Sequence, residues 1–284
     1  MKRLSGFYAM AVLAFVTSIV SCKKETVSPS APAENAVDRE VNMGVISQPI
    51  STYPVLTKHG NVTMTYYADG KLKTVNRNNG YVTTYTYPTQ FANLITATEN
   101  YNGAKVIDYT FFLDGNGRCI KMAGKQVDMN IQWEYTFTYS NGKVVEQKAT
   151  KGFGDKYTFS YDAQNRLQEM FYYKSNGTLG EHTFYAYHNA STPAKTDKYP
   201  LNPTEGWLDT YLPVYGKFSK DLLVYSITYK GAGNGTWKNW SNFSYTLDAN
   251  GFVASRKKEL HEAGKAGVTT KDVVYEYNGG QRGN

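Results

Sequence analysis

The chain has 284 residues, 31 Lys and Arg against 24 Asp and Glu, and 25 Tyr against 15 Leu. A hydrophobic fraction of 41%, with 15% aromatic, excludes a disordered chain, and two Cys exclude a disulfide-built scaffold. Tyr in excess of Leu argues against a helical bundle and for strands, where aromatic side chains fit the pleated surface.

Residues 1–21 read as a targeting segment. Lys2 and Arg3 give a positive start, and residues 7–20 form an apolar run of 14. A helix needs ~20 such residues to cross a bilayer. The run closes on Ile19-Val20-Ser21-Cys22, which resembles a bacterial lipobox. That resemblance implies cleavage before Cys22, acylation of its sulfur and new amino group, and a membrane partner held through the acyl chains. Lys23-Lys24-Glu25 is similar to the charged tract of Bacteroidetes surface lipoproteins. The implied address is the outer membrane of the cell envelope, with the periplasmic and surface faces both open. Residues 22–45 include Ser28-Pro29-Ser30-Ala31-Pro32-Ala33, show no apolar periodicity, and read as a flexible tether. Loss of Lys2 and Arg3 leaves a mature charge of 29 − 24 = +5, dispersed along the chain. Without a basic stripe, nucleic acid is not an expected partner. With Cys22 acylated, Cys119 has no disulfide partner.

From residue 46 to 279 the chain reads as one domain of repeated hairpins, followed by a tail over 280–284. Each unit is an aromatic-alternating run, a turn of Asp, Asn and Gly, and a strand that often opens with Lys or Arg. Tyr66-Tyr67-Ala68-Asp69-Gly70-Lys71-Leu72 is one copy and Tyr161-Asp162-Ala163-Gln164-Asn165-Arg166-Leu167 another. Gly70, Asn93, Gly117, Gly142, Asn165 and Asn189 mark successive turns at spacings of 23 to 25 residues. In Tyr135-Thr136-Phe137-Thr138-Tyr139 the rings fall at every second position and share one face. The expected fold is all-β: an antiparallel meander of about 16 strands, curled or closed into a barrel with its aromatics inward.

The units resemble the tyrosine–aspartate repeats of extracellular bacterial proteins. Unit length, lipobox and insertion resemble Bacteroidetes lipoproteins of a family of unknown function with a porin-like fold. Both resemblances imply architecture and bring no activity. The barrel is not expected to span a membrane. Residues 143–149 show Lys143, Val145 and Gln147 on one face and Val144, Glu146 and Lys148 on the other, and neither suits lipid. A round 16-stranded barrel would leave a wide lumen, so the sheet must flatten, be plugged, or stay open with covered edges.

The insertion over 199–218 is the candidate plug. Thr204 can cap a short helix ending before Pro213, on which Trp207 and Tyr211, four apart, would share a face. That face either packs on the sheet end or forms an aromatic platform for a ligand. Trp237 and Trp240 follow the glycine-rich stretch 231–235 and, three apart, should point to opposite faces of a regular strand. Trp207, Tyr211, Trp237 and Trp240 are thus the candidate ligand-binding residues, with polysaccharide or an envelope protein as the partner. Catalytic signals are thin. Glu205 and Asp209 have the i, i+4 spacing of a carboxylate pair but equally of a solvated face. His182 and His188 would lie ~20 Å apart on a strand, too far for one metal. Asp114-Gly115-Asn116-Gly117 reads as a hairpin turn, since Lys125 stands where a calcium loop needs Glu. No cofactor is expected. Three readings stand: a non-enzymatic binding or structural lipoprotein, a glycan-binding version of it, and a hydrolase on Glu205 and Asp209.

Overall fold

A computed structural model describes residues 55–188, 195–203, 209–231 and 236–278. The first eight strands are β1 (Val55–His59), β2 (Val62–Tyr66), β3 (Leu72–Asn76), β4 (Tyr81–Thr86), β5 (Leu94–Tyr101), β6 (Ala104–Leu113), β7 (Cys119–Gln126) and β8 (Gln132–Ser140). The rest are β9 (Lys143–Lys151), β10 (Lys156–Tyr161), β11 (Leu167–Tyr173), β12 (Leu179–Ala186), β13 (Tyr225–Lys230), β14 (Trp237–Leu247), β15 (Val253–Glu262) and β16 (Thr269–Asn278). Every strand pairs antiparallel with its sequence neighbours, and β1 pairs with β16, from Val55 opposite Asn278 to His59 opposite Tyr275. The sixteen strands therefore form a closed barrel with no free sheet edge.

The aromatic alternation sets the inner face. Tyr135, Phe137, Tyr157 and Phe159 are buried, and Tyr139 and Tyr161 pack against them. Much of the outer wall carries hydroxyls and ion pairs. Thr65 bonds Thr74, Thr246 bonds Ser255, Lys121 pairs with Glu134, and Lys58 pairs with Glu276.

The turns explain why the unit needs its residue types. Asp162 Oδ1 accepts the backbone N–H groups of Gln164 (3.0 Å) and Arg166 (2.8 Å), and Oδ2 accepts Arg166 Nε (2.7 Å). Asp114 does the same with Asn116 and Arg118. Arg118 then lies 4.9 Å over the ring of Tyr139, whose hydroxyl donates to the Cys119 carbonyl (2.7 Å). Lys143 stands over Tyr161, which donates to the Val144 carbonyl, and Lys71 over Tyr87, which donates to the Leu72 carbonyl. One hairpin's cation and carbonyl thus hold the next hairpin's tyrosine.

Strand alternation fails where bulges intervene. The register shifts between Thr138 and Tyr139, which face Glu146 and Val144. Val144 and Gln147 are three apart, yet both are buried. The extra residue, Val145, brings them to one face.

Because β1 begins where β16 ends, every turn after an even-numbered strand lies on the rim where the chain enters the barrel. We call this the proximal rim. It includes the connection from β12 to β13, which carries the insertion. No helix occurs in residues 199–203 or 209–218, which corrects the expected helical segment; residues 204–208, with Thr204, Glu205 and Trp207, lie outside the described residues. Asp209 Oδ1 instead accepts the N–H groups of Tyr211 (2.9 Å) and Leu212 (3.0 Å), an Asx turn that competes with helix.

The insertion fills the interior. Leu212, Val214 and Tyr215 share one core with inward residues of β1 to β11, β15 and β16. Tyr215 is 2% exposed and packs on Phe137 at 5.1 Å between ring centroids. The Val214 carbonyl accepts the Cys119 N–H (2.7 Å), and Lys217 N–H donates to the Gly142 carbonyl (3.1 Å). These bonds satisfy backbone groups that would otherwise be orphaned inside the barrel.

Candidate functional site

The structure disperses the aromatics singled out in the sequence. Tyr211 is half-buried inside the barrel, where its hydroxyl bonds His59 Nδ1 (2.9 Å). Trp237 and Trp240 lie on β14 and are also half-buried. They do not face opposite ways. Tyr229 pairs with Trp237 and Ile227 with Trp240, after a register shift between Thr228 and Tyr229. Tyr229 and Ile227 are two apart and share a face, so their partners share it too. That face is the outer wall, where Trp240 stacks on His261 at 3.4 Å and 9°. Tyr211 therefore shares no surface with the two tryptophans. Trp207 and Cys22 lie outside the described residues.

The polar candidates serve the scaffold. Asp209 Oδ2 accepts the hydroxyl of Tyr85, a fully buried side chain of β4, while Oδ1 holds the Asx turn. One carboxylate oxygen thus anchors the insertion to the wall, and the other shapes the insertion's own turn. Burial, then the Asp209 charge, raises the Tyr85 phenol well above its ordinary value, so it stays a donor. His182 is buried between Phe171 and Phe184, each at 4.0 Å, and burial lowers its affinity for a proton despite Glu169 at 3.6 Å. Cys119 is buried, and burial pushes its thiol up to about 12. Two small cavities of 30 and 60 Å³ separate the insertion from the wall, bounded in common by Leu201, Pro203, Ser219 and Asp221. Each has room for a few waters at most.

The distal rim, opposite the chain's entry, carries a set of residues that sequence reading passed over. Trp133 of β8 pairs with Gly124 of β7. A Cβ on Gly124 would lie 2.2 Å from Trp133 Cε2, 2.4 Å from Cζ2 and 2.6 Å from Nε1. The fused carbon is nearest and its two bonded neighbours follow. An edge-on ring would bring its rim atoms first, so the indole lies with its face on the glycine. Tyr109 meets the indole edge-on at 6.3 Å, and Phe153 stands 5.9 Å away, tilted by 46°. Phe153 sits at the tip of the β9–β10 turn between Gly152 (φ 90°) and Gly154 (φ 71°), conformations that only glycine adopts freely. It is 57% exposed. Met129 and Ile131, in the adjoining β7–β8 turn, are exposed as well. The same rim carries polar residues: Gln126 lies two residues from Gly124, and Asp155, two from Phe153, accepts the Tyr135 hydroxyl at 3.1 Å. The available signal was Trp133 opposite a glycine, which requires the register.

The fold and these contacts define a class: an all-β, closed antiparallel barrel of sixteen strands with a filled interior. No family model and no curated protein matches the chain. Among solved structures it is similar to a porin-like protein from Bacteroides vulgatus, at 14% identity and a TM-score of 0.53, over 78% of this chain and 98% of that one. A porin-like protein from Bacteroides uniformis matches at 15% identity and a TM-score of 0.49, over 81% of this chain and 100% of that one. The Bacteroides vulgatus likeness, at such low identity, concerns the fold alone.

Proposed function

We propose that this chain is a non-enzymatic binding or structural module of the bacterial cell envelope, cleaved after residue 21 and lipid-anchored through Cys22. Residues 22–45 form its tether to the outer membrane. The observation that carries this reading is the filled barrel: Tyr215, Leu212 and Val214 occupy the space a channel would need. Hydroxyls and ion pairs on much of the outer wall support a domain held at a membrane by lipid over one that spans it. A catalytic role for Glu205 with Asp209 is disfavoured, because both Asp209 oxygens already accept structural hydrogen bonds, one from Tyr85 of the wall and one from the insertion's own turn. Mass spectrometry of the mature amino terminus tests the anchor: an acylated Cys22 supports it, and a free thiol or an uncleaved leader refutes it. Conductance across planar bilayers tests the sealed interior, and steady channel activity would refute that half.

Glycan binding is the second reading. What favours it is the distal-rim pair of exposed Phe153 and half-buried Trp133, rather than Trp237 and Trp240 on the outer wall.

A further inference from the structure

We propose that the distal rim holds a carbohydrate-binding site, with the indole of Trp133 as its stacking platform and Phe153 as its second wall. This rests on the reading of the chain as a binding module. The argument begins with ring geometry. Gly124 lets the indole lie flat against the barrel wall, so the face turned from the glycine looks into the mouth of the barrel. Phe153, tilted 46° to it, turns two flat apolar surfaces into a shallow open trough. Sugar rings present C–H faces that lie on such surfaces and hydroxyls at their edges that need partners. Gln126, two residues from Gly124, and Asp155, two from Phe153, bring an amide and a carboxylate to the same rim, and Tyr109 beside the indole brings a phenol. An aromatic packed over a glycine also stabilises a sheet by itself. That purpose accounts for Trp133 over Gly124 but not for Phe153, held 57% exposed on a Gly-Phe-Gly turn beside it. Barrel mouths are common places for ligand sites. The carboxylate of Asp155 disfavours acidic polysaccharide, so the ligand class is a neutral glycan.

The test applies the full mature chain, in detergent, to an array of neutral plant, animal and bacterial glycans, then titrates the best oligosaccharide by calorimetry. Saturable binding is expected, weakened at least tenfold by Phe153→Ala and left unchanged by Phe184→Ala on the outer wall. Phe153 is exposed, so its loss does not threaten folding, whereas Trp133→Ala would open a hole over Gly124. The proposal is overturned if no array member binds the folded protein. Binding indifferent to Phe153→Ala, or an apolar peptide binding the trough in place of sugar, overturns it too. An acylated Cys22 and a silent bilayer alongside such a result would leave the parent reading standing.

Discussion

Replacement of Tyr215 by Ala tests whether the insertion is part of the core or merely laid over it. The side chain is 2% exposed and packs on Phe137 with its ring tilted by 58°, and its hydroxyl lies 3.8 Å from Met122 Sδ. An aromatic side chain of this kind buries about 150–250 Å², or about 4–6 kcal/mol at ~25 cal/mol per Å². That is an upper bound, because the unfolded chain hides part of the surface already. Measured truncations of buried aromatics cost about 3–5 kcal/mol, so about 4 kcal/mol is the working figure. In a barrel of this size such a loss lowers Tm by roughly 8–16 °C. Urea unfolding followed by tryptophan fluorescence gives the free energy directly. Tyr215→Phe is the control: its hydroxyl meets only a thioether, so removing it should change stability by less than about 1 kcal/mol. If Tyr215→Ala also cost less than about 1 kcal/mol, the insertion would contribute nothing to the core, and the sealed-barrel reading would fall with it.

Two further outcomes follow from the repeat. Tyr139→Phe removes the hydroxyl that donates to the Cys119 carbonyl and should cost about 1 kcal/mol in urea unfolding, whereas the buried Tyr187 hydroxyl has no hydrogen-bond partner among the described residues, so Tyr187→Phe should be neutral or stabilising; equal losses would refute this division. At Asp162 burial pushes the carboxyl up, but hydrogen bonds from the Arg166 backbone and guanidinium outweigh it and hold it below its ordinary value. A depressed carboxyl stabilises the fold above its unfolded pKa, and that contribution is lost as pH falls through the folded one. The loss therefore lies below about pH 4. Asp162→Asn should cost about 1–3 kcal/mol at neutral pH and flatten the acid limb of a Tm–pH curve; an unchanged limb would contradict the assignment.

Local chemistry made much of this molecule legible. Tyr135, Phe137, Tyr157 and Phe159 alternate with Thr and Ser, and a period of two places them on the inner face whatever surrounds them. Asp-Gly and Asn-Gly turns follow the same logic. Gly70, Gly117, Gly142, Asn165 and Gly251 all adopt positive φ, while Asn93, the weakest marker in the described chain, does not. The candidate site was less legible. Trp133 gains its meaning from Gly124 on the neighbouring strand, and Trp237 and Trp240 share a face only because one residue is extra.

The order of strands, their direction and the side their rings take were written in the chain, because a two-residue period and a tight turn each act over a few neighbours. Closure of β1 onto β16, the seating of Tyr215 against Phe137 and the bulges at Val145 and in β14 belonged to the tertiary structure. Those features depend on hydrogen bonds and packing between segments far apart in sequence, where the gain comes from satisfying backbone groups and filling volume across the whole barrel.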